Sequence, residues 1–165
     1  MSISGAPANA AKISASAVTG TLIAAGGGAG GFSTVRALNS MLGDTATQGE
    51  IAHLRDRFGD DRVDQFISLF DFAVSDAWVH AGKDNVSVPK DPSLSGHALA
   101  NALINAGTDN GKFSTVRLLI TLLTAKVAVQ TEGDIGMKYG MDALTSFNQI
   151  GDTLFTDMRA MLASG

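Results

Sequence analysis

The chain contains no cysteine, and this absence removes several kinds of chemistry at once. Without cysteine, the protein can form no disulfide, offers no thiolate nucleophile and cannot bind zinc through sulfur. The lack of disulfides does not fix the redox compartment, which therefore stays open, with the cytoplasm slightly favoured.

Charged residues are scarce as well. Asp, Glu, Lys and Arg make up 17% of the 165 residues, against about 25% in an average domain. The net charge of −4 argues against nucleic acid as a partner, because phosphates require a basic surface. A surface with so few charges predicts that part of it is covered, so we expect a homo-oligomer, most simply a symmetric dimer.

Long apolar runs are also missing. No segment reaches the roughly 18 uninterrupted apolar residues of a membrane-spanning helix, and the nearest, residues 118–129, is interrupted by Lys126. We therefore predict no membrane span. Residues 1–25 contain Lys12 as their only basic residue, which favours a structural helix over a signal peptide.

The sequence does contain one pentapeptide twice. Phe-Ser-Thr-Val-Arg occupies positions 32–36 and again positions 113–117, so the second copy follows the first by 113 − 32 = 81 positions. Leu, Ile, Ala and Gly residues around the two copies recur at the same separation. This pattern predicts an internal duplication, with pseudo-repeats at 13–82 and 94–162 joined by a linker at 83–93.

Helical periodicity dominates the remaining sequence. In residues 60–81, apolar side chains recur every three or four positions, as on one face of a helix, and no stretch alternates with a period of two for long. We predict an all-α fold without a sheet: one helical domain of about eight helices, built from two pseudo-repeats of helix–loop–helix pairs. The predicted helices are residues 10–25, 33–42, 47–58, 60–81, 94–106, 114–130 and 142–162.

The second half also suggests an insertion. Positions 131–135 echo positions 47–51, and this separation, 131 − 47 = 84 positions, is larger by three than that of the pentapeptides. The difference predicts three extra residues between Thr124 and Gln130.

The pentapeptide itself has the composition of a helix start. Ser33 and Ser114 suit the N-cap position, and the phenylalanine before each serine can pack across the cap. An arginine in the first turn gains nothing from the helix dipole, so each one needs a carbonyl or carboxylate partner. We favour a structural partner and keep a ligand as the alternative. The candidate ligand-binding residues are Phe32, Arg36, His97, Phe113 and Arg117.

Two further motifs resemble binding sequences, one for a nucleotide and one for calcium, but each lacks other features that binding requires. Residues 26–31 contain G-x-G-x-x-G, yet no second strand with a terminal acid follows, as nucleotide binding would require. Residues 108–113 resemble the centre of an EF-hand loop, but the outer ligand positions are Ala106 and Arg117, which carry no carboxylate. We predict no cofactor and no metal.

These observations leave three classes of function. The preferred one is a non-enzymatic, self-associating structural or interaction protein, with residues 114–130 as its contact surface because their leucines surround the predicted helix. The alternative is a binding module for a small apolar ligand or pigment held between the two pseudo-repeats. An enzyme, with His80 or His97 as its base, is the least favoured, since no nucleophile motif accompanies either histidine.

Overall fold

The computed structural model describes residues 14–28, 31–83 and 90–164, and the side chains of all of these but 80–83. Within these ranges the chain forms eight helices and one short hairpin, so the predicted all-α domain is confirmed. None of the described helices is long and apolar enough to cross a membrane. The helices are α1 (Ala15–Gly26), α2 (Thr34–Leu42), α3 (Asp44–Phe58), α4 (Asp60–Lys83), α5 (His97–Gly107), α6 (Thr115–Leu123), α7 (Ala125–Tyr139) and α8 (Met141–Ser164).

The first half of the chain (residues 14–83) and the second half (residues 90–164) contain the same order of helices. Helices α2 and α6 have 9 residues each, α3 and α7 have 15, and α4 and α8 have 24. The two members of each pair begin at the separation of the pentapeptides, as at Thr34 and Thr115 or at Asp60 and Met141. The predicted insertion is therefore wrong, because the separation does not change along the chain.

The predicted helix over residues 114–130 is also wrong, because the chain turns at Thr124. Thr124 has a positive φ of 71° and separates α6 from α7, as Gly43, with φ 90°, separates α2 from α3. Glycine marks such a turn in a sequence because it adopts positive φ without strain. A threonine gives no such signal, and the two helices therefore read as one.

A short hairpin corrects the prediction that no sheet is present. Strands β1 (Thr108–Asp109) and β2 (Lys112–Phe113) pair antiparallel. Asn110 and Gly111, between them, have φ values of 52° and 78°. Positive φ at both central residues is the reason that Asn-Gly favours tight hairpins. The segment that resembles an EF-hand loop is thus a hairpin between α5 and α6.

Two helix starts lie three residues away from the predicted ones. Helix α3 begins at Asp44, and α5 begins only at His97, after Gly96 with φ 52°. Helix α1 is described from its N-cap Ser14, whose side chain accepts a hydrogen bond from the Ala17 amide. The predicted start at Ala10 and most of the predicted linker lie outside the described residues.

The two long helices lie at the centre of the fold. Helices α4 and α8 pack on each other, with the rings of Phe66 and Phe147 5.3 Å apart. The ring centroids of Phe70 and Phe155 are 6.3 Å apart. The ring of Phe155 stacks on that of Phe113, with the centroids 4.7 Å apart. Contacts of α1 with α5 and of α3 with α8 also join the halves. Both halves therefore share one core.

Candidate functional site

The repeated pentapeptides begin α2 and α6 with the same caps. Ser33 Oγ accepts a hydrogen bond from the Arg36 amide at 3.3 Å, and Ser114 Oγ accepts one from the Arg117 amide at 3.3 Å. Each serine is the N-cap of its helix. The caps satisfy backbone donors that a helix start leaves without a partner.

The arginine of each pentapeptide reaches the end of the preceding helix. Arg36 Nε donates to the Gly26 carbonyl at 3.0 Å, and Arg117 Nη1 donates to the Gly107 carbonyl at 2.9 Å. These glycines are the last residues of α1 and α5, whose final carbonyls have no partner within the helix. Both arginines therefore have a structural role, and binding of a ligand by them stays a prediction.

The threonine of each pentapeptide is bound to a long helix. The Thr34 amide donates to Asp71 Oδ1 at 2.6 Å, and its hydroxyl bonds to the same oxygen. The Thr115 amide donates to Asp152 Oδ1 at 2.6 Å, and its hydroxyl does so at 2.7 Å. We call each set of bonds from one pentapeptide a clasp. Sequence reasoning missed Asp71 and Asp152, although these two residues have the same separation as the pentapeptides.

The predicted ligand-binding residues do not form one site. Phe113 is buried, with 9% of its surface exposed, whereas Phe32 is only partly buried. Each phenylalanine ring covers a helix-ending glycine so closely that a Cβ there would overlap the ring. His97 is exposed in the first turn of α5, about 15 Å from the clasp at the other end of that helix by the rise of 1.5 Å per residue. The structure thus divides the predicted set into two clasps and a separate histidine.

Two facing carboxyl groups, each with one buried oxygen, join α3 to α8. Glu50 on α3 is only 8% exposed, and Glu50 Oε2 and Asp157 Oδ2 are buried without a hydrogen-bond donor from the described residues. Burial of Glu50, followed by the hydrogen bond that it makes with Asp157 when protonated and by the charge of that residue, raises the pKa of Glu50 to about 8. His53 Nε2 lies 3.7 Å from Asp157 Oδ2. We call these three residues the carboxyl joint.

The corresponding joint between α7 and α4 has a different donor. Thr131 Oγ1 donates to Asp76 Oδ2 at 3.2 Å, and these residues correspond to Glu50 and Asp157, respectively, at the separation of the pentapeptides. A hydroxyl always carries a proton to donate. Glu50 can replace that donor only when it is protonated.

The solvent-exposed side of α7 includes several large apolar side chains. Val129 and Met137 are 64% and 90% exposed, and Met141, just beyond the helix, is 66% exposed. Gly133 lies between them, and no other described atom comes within 4 Å of where its Cβ would be. Met141 packs over Gly136, where a Cβ would come 2.8 Å from its sulfur. The α7 face consists of Lys126, Val129, Gly133, Gly136, Met137 and Met141.

An enclosed cavity and an open cleft lie between residues of the first half and residues of the second half. The cavity enclosed by α1, α2, α4, α5 and α8, next to Phe70 and Phe155, holds about 10 Å³, which is room for at most one water molecule. A cleft of about 610 Å³ opens to solvent between α1 and residues 90–96, with Ala24, Leu94 and Leu99 in its walls. The cleft is large enough for a small ligand, whereas the inner cavity is not.

Comparisons of the chain with protein-family models, with curated proteins and with solved structures find no match. The fold defines an all-α domain of two four-helix halves around a shared core. No group of three or more His, Asp or Glu side chains in the described part of the chain is placed to hold a metal ion. The α7 face, the carboxyl joint and the open cleft are the features from which function is argued.

Proposed function

We propose that the protein is a non-enzymatic interaction protein that self-associates through the α7 face into a symmetric dimer. The observation that carries this proposal is the exposed apolar row of Val129, Met137 and Met141. Residues 126, 129, 133 and 137 follow the three- and four-residue spacing of one helix face. An apolar row of this kind on a chain with few charges is typical of a contact surface.

A second copy of the chain suits this face better than an unrelated partner. Lys126 lies at the beginning of the α7 face and Asp142 just beyond its end, and both are exposed. In a twofold dimer with antiparallel α7 helices crossing at Gly133, each Lys126 approaches the partner's Asp142, so one contact supplies two opposite-charge pairs. Gly133, over which no described side chain packs, allows the two helix backbones to approach closely.

The proposal includes a duplicated origin for the two halves. Equal lengths of three helix pairs and two equivalent clasps support this origin. After the duplication, α3 of the first half kept a charged outer face, and α7 of the second half acquired an apolar one. The two halves together form the stable framework, and α7 of the second half forms the contact with the partner.

Sedimentation of variants at micromolar concentration tests the dimer. Met137→Asp introduces the residue type found at the corresponding position of α3, Asp56, and we expect it to convert a dimer of twice the 17.0 kDa chain mass into a monomer. The matched control, Asp56→Asn on the α3 face, leaves the dimer intact. A wild-type protein that sediments at the mass of a single chain, or an equal effect of both variants, would contradict the proposal.

A charge exchange tests the arrangement of the two helices. Lys126→Asp and Asp142→Lys each place like charges together across the antiparallel contact, so each raises the dimer dissociation constant. The double variant restores opposite charges and recovers the wild-type constant. Additive weakening in the double variant would exclude the antiparallel crossing without excluding the α7 face.

The open cleft favours the alternative function, binding of a small apolar ligand. Its walls come from α1 and from α5 with the segment before it, and so from both halves. The fluorescent dye 1,8-anilinonaphthalene sulfonate tests this alternative, with Ala24→Trp to fill the cleft. Saturable binding that Ala24→Trp removes and Met137→Asp leaves unchanged supports a ligand site, and binding that only Met137→Asp removes places the dye on the α7 face.

A further inference from the structure

We propose that α3 is held on α8 by a proton shared between Glu50 and Asp157, so that this joint between the halves opens when the proton is lost. The inference concerns the carboxyl joint and does not depend on self-association. Its consequence is that the contact between α3 of the first half and α8 of the second half depends on pH.

Two oxygens of the carboxyl joint lack a hydrogen-bond donor within the described part of the chain. Glu50 Oε2 and Asp157 Oδ2 are both buried, and neither has a hydrogen-bond partner among the described residues while both groups are ionised. A buried acceptor without a donor is destabilising, and a buried charge beside a like charge is more so. One proton between the carboxyl groups removes a charge and provides the missing hydrogen bond.

The equivalent joint shows what the fold requires at this position. There, Thr131 on α7 donates its hydroxyl proton to Asp76 on α4. In each joint, the aspartate is thus approached by a side chain from a helix of the other half. Glu50 occupies the position that corresponds to Thr131. A carboxyl group, unlike a hydroxyl, can lose its proton near neutral pH.

Among the described residues, none of the groups that act on the pKa of Glu50 is a cation. Across the joint, Asp157 of α8 is the charged group that acts on Glu50, and on α3 itself His53 faces Asp157 at 3.7 Å. The neighbouring helices α2 and α4 direct their arginines elsewhere. Arg36 binds the Gly26 carbonyl, and Arg62 binds Ser146 and Gln149.

The direction of the pH effect follows from the protonation states. The pKa of Glu50 is raised in the folded state, from 4.5 to about 8, so the folded protein holds a proton that the unfolded chain releases. Stability from this proton is complete below the unfolded pKa and is lost as pH rises through the folded pKa. The melting temperature of the wild type should therefore fall from about pH 5 to about pH 8.

Glu50→Gln is the central test because an amide keeps a donor at every pH. We expect its melting temperature to match the wild type near pH 5 and to exceed it at pH 8, with a flat profile between. Asp157→Asn provides a permanent donor and removes the neighbouring charge, while the burial of Glu50 remains, so its profile should be less steep than that of the wild type without becoming flat. The proposal is overturned if the melting temperature of either folded variant falls with pH as steeply as that of the wild type. It is also overturned if the melting temperature of the wild type does not change with pH.

Two controls separate the shared proton from other effects. His53→Gln removes the imidazole beside Asp157 and should retain the pH-dependent fall. Thr131→Val removes the donor of the other joint and should lower the melting temperature equally at pH 5 and pH 8. If the melting temperature of His53→Gln no longer falls as pH rises, the proton belongs to the histidine and the proposal is overturned.

Hydrogen exchange, corrected for its intrinsic dependence on pH, locates the opening. Amides of α3 should lose protection between pH 6 and pH 9 while those of α7 keep theirs. In Glu50→Gln, both helices should remain protected over the same range. Equal loss in α3 and α7 of the wild type would place the effect in the whole domain and overturn the proposal.

Discussion

The outer faces of α3 and α7 belong to equally long helices at corresponding places in the two halves, yet their chemistry is opposite. Where α7 has Val129, Gly136 and Met137, α3 has Gln48, Arg55 and Asp56. Arg55 is bound to Asp64 at 2.8 Å and lies 3.5 Å from Asp60, whereas Met141 takes the place corresponding to Asp60. The outer face of α3 is therefore charged, and that of α7 exposes apolar side chains in the corresponding places.

The buried framework of the two halves differs less. Leu54 of α3 and Ile135 of α7 are both buried at corresponding positions, and outside these helices Thr34 of α2 and Thr115 of α6 make equivalent bonds to Asp71 and Asp152. The comparison teaches that the conspicuous repeated pentapeptide belongs to the framework. Candidates for function lie where the halves differ, at the α7 face and at Glu50.

The largest difference that we expect inside the core concerns the two phenylalanines of the pentapeptides. Phe113→Ala should cost about 3–5 kcal/mol, because it removes a buried ring that stacks on Phe155. Phe32→Ala should cost about 1–2 kcal/mol, since Phe32 is only partly buried and less apolar surface is lost. Urea unfolding measures both, and a loss below about 1 kcal/mol for Phe113→Ala would show that its ring is not part of the core.

The clasps predict equal effects in the two halves. Thr34→Val and Thr115→Val each leave an aspartate oxygen without its hydroxyl donor, which should cost about 1–3 kcal/mol. Because the bonds to Asp71 and Asp152 are alike, the two losses should agree within about 0.5 kcal/mol, the usual error of such comparisons. A clear inequality in urea unfolding would mean that the clasps are equivalent in geometry but not in energy.

The sequence predicted the framework better than the site. Helical periodicity identified the long helices because their buried faces recur every three to four residues. The cap residues Ser33 and Ser114 were found because capping is a local interaction. The hairpin at Asn110-Gly111 was missed despite its local signal, since no long strand flanks it.

The carboxyl joint could not be predicted in the same way. Glu50 and Asp157 are far apart in sequence, and their contact depends on how α3 of one half packs on α8 of the other. Periodicity identifies which side of a helix is buried, but not which helix covers it. The α7 face was hidden by the same limit, because the turn at Thr124 changes which residues point outward.

The smallest expected effect lies at the turns where the halves differ by one residue. Thr124, with φ 71°, occupies the place of Gly43, with φ 90°, and a β-branched residue in this left-handed region is strained. Thr124→Gly relieves the strain but gives the unfolded chain more freedom, so we expect a net stabilisation of about 0.5–1 kcal/mol. The reverse change, Gly43→Thr, should destabilise the protein by about 1–3 kcal/mol, because it creates the same strain in the first half. If urea unfolding gives Thr124→Gly a lower stability than the wild type, contacts of the threonine side chain outweigh the backbone strain and the two turns are not equivalent.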